Sequence, residues 1–527
     1  MSGTDFDVVQ IGYGPVGQTF AALAGKLGWK VGVFERYPSL YGLPRAGHID
    51  HEIMRIFQSL GCAETVERNA IRSNKYEWRN AAGQVLLDFE WNADGISGWP
   101  SDYLIFQPDL EDVLDDAIRS TPTISVHFGW EAVVIIQFPD HVELTVRDAA
   151  NPRMIKKVTS RYLVAADGGN SFARKALGIE WRDLGFSQPW LVVDFREKRP
   201  LSLPFENGQI CDPARPMCLF QLGKAHRRFS FMVMPGEEEW AKQADTAWSL
   251  VRPWVGPDDV ELIRQATYVF ESKLLDNWRV GGIFFMGDSA HVMPPFMGQG
   301  MCSGIRDAAN LAWKLALVLA GRSAETLLDS YCSERKPHVA DLIRLSMEVG
   351  RISCTTDREQ ARKRDEALLS GKRPPAAHFP GLVEGILMSA ANAIEAALIG
   401  QLGPQGRIES DGKEARVDDL LGPGWQLIAL QDPRQALSLQ SCAILDRIDA
   451  KILHFDGPAG VADADGAYGR FFDASGVSSI LVRPDFYIYC AAQTPDRLNV
   501  SIEQLDRMLS LCPSAAKVRI ACTTSVA

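Results

Sequence analysis

Along the first third of the chain, apolar residues alternate between short continuous runs and stripes at helical spacing. Residues 7–11 read as a buried strand, 19–27 as a helix, and 30–34 as a second strand ending at Glu35, which together predict a β-α-β unit. Helical spacing returns over 49–60 and, after Pro108, over 109–120. Strand patterns follow at 125–128, 133–137, 142–146 and 162–166. From about 181 to 275 the pattern changes to short β runs (190–195, 217–222, 228–234) separated by Pro and Gly, which predicts an inserted antiparallel sheet. A buried strand over 283–286 and a long helix over 303–319 return the chain to the first fold. Helical sequence continues through about 350–400, broken at Lys372-Arg373-Pro374-Pro375. A composition shift at Gly403-Pro404-Gln405-Gly406 opens a last segment of alternating strands and helices, large enough to be a domain.

Composition narrows the class. With 527 residues, 46% hydrophobic and 23% charged, the chain can bury two or three cores. A net charge of −11 argues against nucleic acid as a partner, because phosphate binding asks for a basic face. The ten cysteines include no Cys-x-x-Cys and no metal-like Cys/His spacing, so reduced thiols and no metal are expected. No leader pattern opens the sequence, and no apolar run reaches the roughly 18 residues of a spanning helix. The expectation is a cytoplasmic protein that does not enter the membrane.

Three constellations carry chemistry. In Gly12-Tyr13-Gly14-Pro15-Val16-Gly17 the first glycine permits a tight turn, the second lets backbone approach a pyrophosphate, and the third lets helix pack on strand. Glu35, 18 residues beyond Gly17 and followed by Arg36, stands where a carboxylate binds both ribose hydroxyls of a dinucleotide. The second constellation is Asp167-Gly168-Gly169 at the end of a buried strand, with Arg174 following. The third is Gly287-Asp288-Ser289-Ala290-His291, running through Pro294-Pro295 to Gly298-Gln299-Gly300-Met301. There Asp288 can accept from the hydroxyls of a ribityl chain, and the glycine turn offers backbone N–H groups to a polar ring edge. Taken singly, each acid also reads as a helix cap.

The ordered triple, with Pro44-Arg45-Ala46, Asp50-His51-Glu52, Gln107-Pro108-Asp109-Leu110-Glu111 and Gly304-Ile305-Arg306-Asp307-Ala308, resembles the single-component FAD-dependent aromatic hydroxylases. Within that family the runs are most like 3-(3-hydroxyphenyl)propionate hydroxylase and its near relatives, and the tail resembles the thioredoxin-like C-terminal domain of the phenol hydroxylase group. The resemblance implies an α/β fold with a Rossmann-like FAD-binding domain of the glutathione reductase type, over 1–180 and 276–400 with a helical extension. It also implies a middle β-sheet substrate domain over 181–275 and a thioredoxin-like domain without redox cysteines over 404–527. It implies FAD as cofactor, NAD(P)H and O2 as co-substrates, a small phenolic substrate, and a homodimer. The expected reaction is ring hydroxylation through a C4a-hydroperoxyflavin, ortho to an existing hydroxyl. By the same resemblance Arg45, Gln107, Asp167 and Asp288 contact FAD, the backbone at Val133 faces the adenine, and the Pro295 carbonyl is an acceptor for the substrate. His48, just past the Arg45 motif, is the first candidate for the group that deprotonates the phenol. Substrate contacts within 181–275 stay open among Gln221, His226, Arg228 and Tyr268. A polyketide-modifying FAD hydroxylase and a non-catalytic FAD-binding scaffold are the competing readings. A flavin halogenase is disfavoured, since no Trp-x-Trp-x-Ile-Pro stretch occurs.

Overall fold

The computed structural model describes residues 3–373, 378–410, 412–457 and 460–511. Its first layer is a sheet whose parallel core runs Ile283–Phe285, Ile155–Ala165, Phe6–Ile11, Val31–Glu35 and Ile124–Phe128. Val8, Val9, Val31, Val33, Leu163 and Val164 are buried, as strands covered on both faces require. The antiparallel pair Trp130–Gln137 and Val142–Asp148 extends this sheet through Ile155–Ala165. Helices Pro15–Lys26 and Gln299–Leu319 pack against one another on this layer.

Helix starts follow their local chemistry. Pro15 occupies the first turn of Pro15–Lys26, where its missing N–H costs nothing. Asp50 caps His51–Leu60 by accepting from the Glu52 and Ile53 amides at 3.1 and 3.2 Å, and Gly61 ends that helix in the left-handed conformation. The helical reading of 49–60 thus divides into a short strand, His48–Asp50, and the helix.

A second eight-stranded sheet holds Val260–Leu274, Arg182–Glu197, His226–Met232 and Met217–Leu222 in antiparallel array. It is not confined to 181–275. Gly208–Ile210 pairs in parallel with Lys75–Arg79, which carries Val85–Glu90, and His291–Val292 closes the other edge. One face, with Leu191, Val193, Phe229 and Phe231, is covered by Thr246–Val251 and its neighbours. The opposite face turns toward the nucleotide-binding layer.

The helical reading of 350–400 needs correction. Ser330–Ser353 and Arg358–Leu369 are helices, but 378–392 is irregular before the short helix Ala393–Leu398. Pro380 and Gly381 interrupt what the apolar spacing suggested; Pro374 and Pro375 lie outside the described residues.

The C-terminal unit has a four-stranded sheet in the order Lys451–His454, Gln426–Ala429, Ser479–Val482, Ile488–Ala492, parallel in the first pair and antiparallel in the rest. Helices Leu439–Arg447, Ala467–Ser475 and Pro495–Met508 punctuate it. It is joined to the first layer through buried charges. Arg55 donates to Asp418 at 2.6 and 3.1 Å, and Arg483 reaches Glu334 at 2.6 Å.

Candidate active site

The glycine turn at the end of Phe6–Ile11 is shaped by contacts that exclude side chains. Gly12 has φ +94°, and a Cβ there would lie 2.4 Å from the Ala166 carbonyl oxygen. A Cβ at Gly17 would meet the Gln10 amide nitrogen at 2.6 Å and the Gly12 oxygen at 2.7 Å. At Gly14 a Cβ would meet no protein atom within 4 Å, so protein packing does not account for that glycine. The helix it begins has no capping side chain and no acid in its first turn, which leaves its N–H groups directed at whatever approaches. Glu35 is fixed beside the turn, its oxygens accepting from the Tyr13 and Tyr37 amides at 2.9 Å each, with lone pairs to spare for hydroxyls. Arg36 is exposed and lies over the Tyr37 ring. Val16 has a packing role: Cβ atoms built at Gly287 and Gly304 would meet its methyls at 3.2 and 2.5 Å.

Two acids stand beside this turn, Asp167 next to Gly12, and Asp288 next to Gly287, which packs on Val16. Asp167 Oδ2 accepts from the Ala173 amide at 3.1 Å, whereas Oδ1 is buried without a partner, and burial raises the carboxyl pKa against its local hydrogen bonds. Gly168, at φ +77°, turns the chain beside it. Asp288 is enclosed by protein yet keeps accessible surface, as expected of a group lining a cleft. Burial pushes its pKa up, and His291 and Arg45 oppose that. Across the sheet, the pairing of Trp130–Gln137 slips between Ala132 and Val134, so a bulge falls at Val133 and removes that residue from the ladder. An orphaned carboxylate oxygen, a turn open at Gly14, an uncapped helix start and an enclosed acid fit the diphosphate and polyol of FAD.

Several residues expected to meet the cofactor have side chains bonded to protein. Gln107 is spent on protein: its Oε1 accepts from the Arg45 and Ala46 amides at 3.2 and 2.6 Å, and its Nε2 donates to Glu111 at 2.6 Å. Its side chain therefore sets the Arg45 loop. Gln299 is likewise buried, donating to Asp50 at 3.1 Å and accepting from Arg306 at 2.9 Å, so only its backbone belongs to the turn. Arg45 is exposed over Tyr41, and its carbonyl accepts from Arg228. Arg228 in turn is held by Asp194 at 2.6 and 2.9 Å, and with Arg264 it also donates to the Pro44 carbonyl. The Pro44-Arg45-Ala46 loop is thereby tied to the sheet.

The turn Pro295–Met297 ends at Gly298, whose φ of +65° starts the helix Gln299–Leu319. Pro295 is exposed toward the cleft, but its carbonyl already accepts from the Gly298 amide at 3.0 Å. Gly300 and Met301 form the first turn of the helix. A Cβ at Gly298 would lie 2.7 Å from His48 Nδ1, which places that imidazole against the turn.

His48, the first candidate base, sits between Asp102 and the Gly298 turn. Its Nε2 meets Asp102 Oδ1 at 2.7 Å, and its Nδ1 is buried with only the Cys302 thiol nearby. Burial alone would lower the pKa of this group, yet the Asp102 hydrogen bond and charge outweigh it and raise the pKa well above the ordinary value. Its Nε2 is committed to Asp102, and its Nδ1 is buried against the Gly298 turn. Asp102 is the more accessible partner, 23% against 12% exposed.

Sequence reasoning missed Asp102, Tyr76 and Trp91. Trp91 lies 5.6 Å from His48 and stacks on Tyr76 at 4.7 Å, and Tyr76 Oη meets Cys218 Sγ at 3.5 Å. The strand Lys75–Arg79 carries too many polar residues to stand out from sequence, and nothing in it indicates that it joins the sheet. Among the four middle-sheet candidates, Arg228 is taken by Asp194, His226 stacks on Phe106 at 3.7 Å, and Tyr268 lies under Arg264 at 5.0 Å. Among the described residues no cluster of His, Cys, Asp and Glu could hold a metal, and no helix is long and apolar enough to cross a membrane.

Comparison with known proteins agrees with this geometry. Residues 5–346 match the FAD binding domain family, and 400–508 match the HcaD C-terminal domain. The chain is 37% identical to a probable NADH-specific resorcinol 4-hydroxylase of Rhodococcus jostii (strain RHA1), over 96% of each chain. It is 30% identical to a 3-(3-hydroxy-phenyl)propionate/3-hydroxycinnamic acid hydroxylase of Comamonas testosteroni, over 96% of this chain and 98% of the other. In fold it is similar to the flavin-dependent monooxygenase PieE, solved with FAD and substrate, with a TM-score of 0.80 at 21% identity, covering 96% of this chain and 100% of that one. Aklavinone-11 hydroxylase, solved with FAD and aklavinone, gives the same score and identity over 97% and 100%. The chain belongs to the FAD binding domain family, the group of flavoproteins that includes these phenolic hydroxylases.

Proposed function

We propose that the protein is an FAD-dependent monooxygenase that uses NADH and O2 to hydroxylate a phenolic ring ortho to an existing hydroxyl. What supports this reading is the presence of two features: the glycine turn with its uncapped helix start, which fits FAD, and the Gly298 turn against which His48, paired with Asp102 and 5.6 Å from Trp91, is packed. Bound FAD supplies hydride acceptance from the nicotinamide and activation of dioxygen. Glu35, Asp167 and Asp288 hold its hydroxyl-bearing chains, the Gly14 turn and the Pro15–Lys26 N-terminus receive the pyrophosphate, and the Gly298–Met301 backbone meets the ring edge. Asp102 accepts the hydrogen of the substrate hydroxyl, and the His48 cation behind it favours the phenolate, which raises electron density at the ortho and para carbons. His48 is thus a positioning and charge-supplying residue, and the middle sheet with its 75–90 strands excludes water. Pro295 lines the floor of this chamber, with its second carbonyl lone pair directed by the turn.

The C-terminal unit, with its order β-α-β-α-β-β-α and mixed sheet, supports a thioredoxin-like reading. Without a Cys-x-x-Cys it serves structure or dimer contact. The domain division at 1–180 with 276–400, 181–275 and 404–527, a homodimeric state and a cytoplasmic location belong to the same proposal. The test is NADH oxidation with a panel of phenols, read together with oxygen uptake and product identification. Phenol-stimulated NADH oxidation with a hydroxylated product is expected. A protein that binds FAD, but whose NADH or NADPH oxidation no phenol accelerates, would sink the reading in favour of a scaffold.

A further inference from the structure

Residues 91–102 form a loop whose two ends, Trp91 and Asp102, both stand at His48. Ser101 ties those ends together. Its amide donates to the Ala93 carbonyl at 2.8 Å, and its hydroxyl donates to Asp102 Oδ2 at 2.6 Å with the Trp91 carbonyl at 3.3 Å. Asp102 thus has one oxygen on His48 and the other on Ser101. Within the loop the Gly95 amide donates to the Trp99 carbonyl at 2.8 Å, and the Gly98 amide to the Gly95 carbonyl at 3.0 Å.

The tip of this loop is held by the C-terminal unit. Three successive carbonyls accept from it: Ile96 from the Gln405 amide at 2.8 Å, Ser97 from Gln405 Nε2 at 2.5 Å, and Gly98 from Arg416 Nε at 3.0 Å. The Arg416 guanidinium also lies 3.7 Å from the centre of the Trp99 ring, close enough for a cation–π contact. Trp99 is fully buried, and its indole donates at 2.8 Å to Gln58, whose amide exchanges hydrogen bonds with Gln405 at 2.9 and 3.0 Å. Gly98, at φ +70°, allows backbone to meet backbone, since a Cβ there would lie 2.6 Å from the Gln405 carbonyl oxygen. Pro100, with its fixed φ, joins the anchored Trp99 to Ser101.

We propose that Gln405 and Arg416 of the C-terminal unit are positioning residues for the reaction: by holding the 95–99 tip they set Ser101, and through it the Asp102 carboxylate. A group that must accept a hydrogen in one geometry tolerates little displacement. This inference rests on the hydroxylase reading, in which Asp102 meets the substrate hydroxyl, and it gives a unit without redox cysteines a part in turnover.

The test uses the full-length, FAD-loaded enzyme. Arg416→Met keeps an aliphatic stem on Trp99 and removes the donor to Gly98, Arg416→Lys restores a donor, and Ser101→Ala cuts the link to Asp102. Arg322→Gln is the control, because Arg322 joins the same two units through Asp449 at 2.8 Å by a contact that includes no loop residue. Turnover is measured with each phenol that stimulates NADH oxidation by the wild type, and hydrogen exchange is followed at the 91–104 amides. Arg416→Met should lower kcat by about tenfold with FAD content and the KM for NADH unchanged, and should speed exchange across the loop. Arg416→Lys should recover most of the lost kcat, and Arg322→Gln should match the wild type in both measurements. The double variant of Ser101→Ala with Arg416→Met should be no slower than the slower single variant, because both act on Asp102 by one route. An unchanged kcat or unchanged loop exchange in Arg416→Met, loss of its FAD, or losses that multiply in the double variant would overturn the inference and leave the hydroxylase reading standing. If no phenol stimulates NADH oxidation by the wild type, both fall.

Discussion

Asp102 Oδ1 lies 2.7 Å from His48 Nε2, joining two short antiparallel strands, and this hydrogen bond raises the pKa of a buried imidazole against the lowering effect of burial. A histidine whose folded pKa is raised keeps its charge below that pKa and loses it as pH rises through it. If His48 favours the phenolate by its charge, kcat/KM should fall on the alkaline side as His48 deprotonates. In Asp102→Asn the partner charge is gone and burial dominates, so the alkaline limb should move to lower pH. Because Asp102 also accepts the substrate hydroxyl, kcat/KM should drop by roughly 10²-fold or more even at the optimum. A pH profile of kcat/KM with FAD content measured alongside checks both, and an unshifted limb removes His48 from the chemistry.

Gly14 separates cofactor binding from folding. Its φ of −75° is accessible to any residue, and a Cβ there meets no protein atom within 4 Å. Gly14→Ala should therefore leave the melting temperature of the flavin-free protein within about 1–2 °C of wild type, since the substitution touches no protein packing. Its FAD affinity should fall by about tenfold or more, because the methyl group enters the space where backbone approaches the pyrophosphate. Gly12→Ala should instead destabilise the protein itself, since its Cβ would overlap the Ala166 carbonyl at a left-handed φ. Equilibrium FAD titration and thermal melts of the two variants distinguish these outcomes.

The parts legible in the sequence were those whose residues lie close together along the chain. The turn at Gly12, Gly14 and Gly17, the acids Glu35, Asp167 and Asp288, and the start of the 299 helix are local in sequence, so motif and element coincide. The wall of the candidate chamber was not legible, because Asp102 takes its place by pairing with the distant strand His48–Asp50, the strand of Tyr76 joins the middle sheet through the distant Gly208–Ile210, and Trp91 follows Val85–Glu90 without belonging to it. Gln107 and Gln299 read as ligands from the motifs in which they stand. Their amide groups are in fact consumed by the Arg45 loop and by Arg306. The raised pKa of His48 was equally invisible, since it depends on Asp102, which is 54 residues away.

Asp288 should serve binding more than stability. Its carboxylate keeps accessible surface, and the surrounding protein raises its pKa while His291 and Arg45 oppose that. Asp288→Asn should leave the melting temperature of the flavin-free protein within about 1–2 °C of wild type, and should weaken FAD binding, because the amide is a poorer acceptor for polyol hydroxyls. Unchanged FAD affinity in an equilibrium titration would remove Asp288 from the cofactor site.

Glu334 should matter for the joint between the C-terminal unit and the flavin-binding helix. It is fully buried and accepts from Arg483 at 2.6 Å, Lys314 and Asn310 at 2.7 Å each, and the Ile386 amide at 2.7 Å. Burial would raise its pKa, but Arg483 and Lys314 outweigh burial and lower it. Its stabilising contribution is therefore present above the ordinary carboxylate pKa and lost as pH falls below it. Lys314 is displaced in the opposite sense: burial lowers it to about 8 despite the nearby Glu334 carboxylate. Glu334→Gln leaves Lys314 as a buried ammonium without its charge partner, a change worth about 3–5 kcal/mol. The deficit should shrink as pH rises from 7 to 9, because a lysine with a depressed folded pKa gives stability back once it deprotonates in the folded state while the unfolded chain remains protonated. Thermal melts of wild type and variant across that range check the sign. A deficit that stays constant or grows with pH would mean that Lys314 is not the group left unpaired.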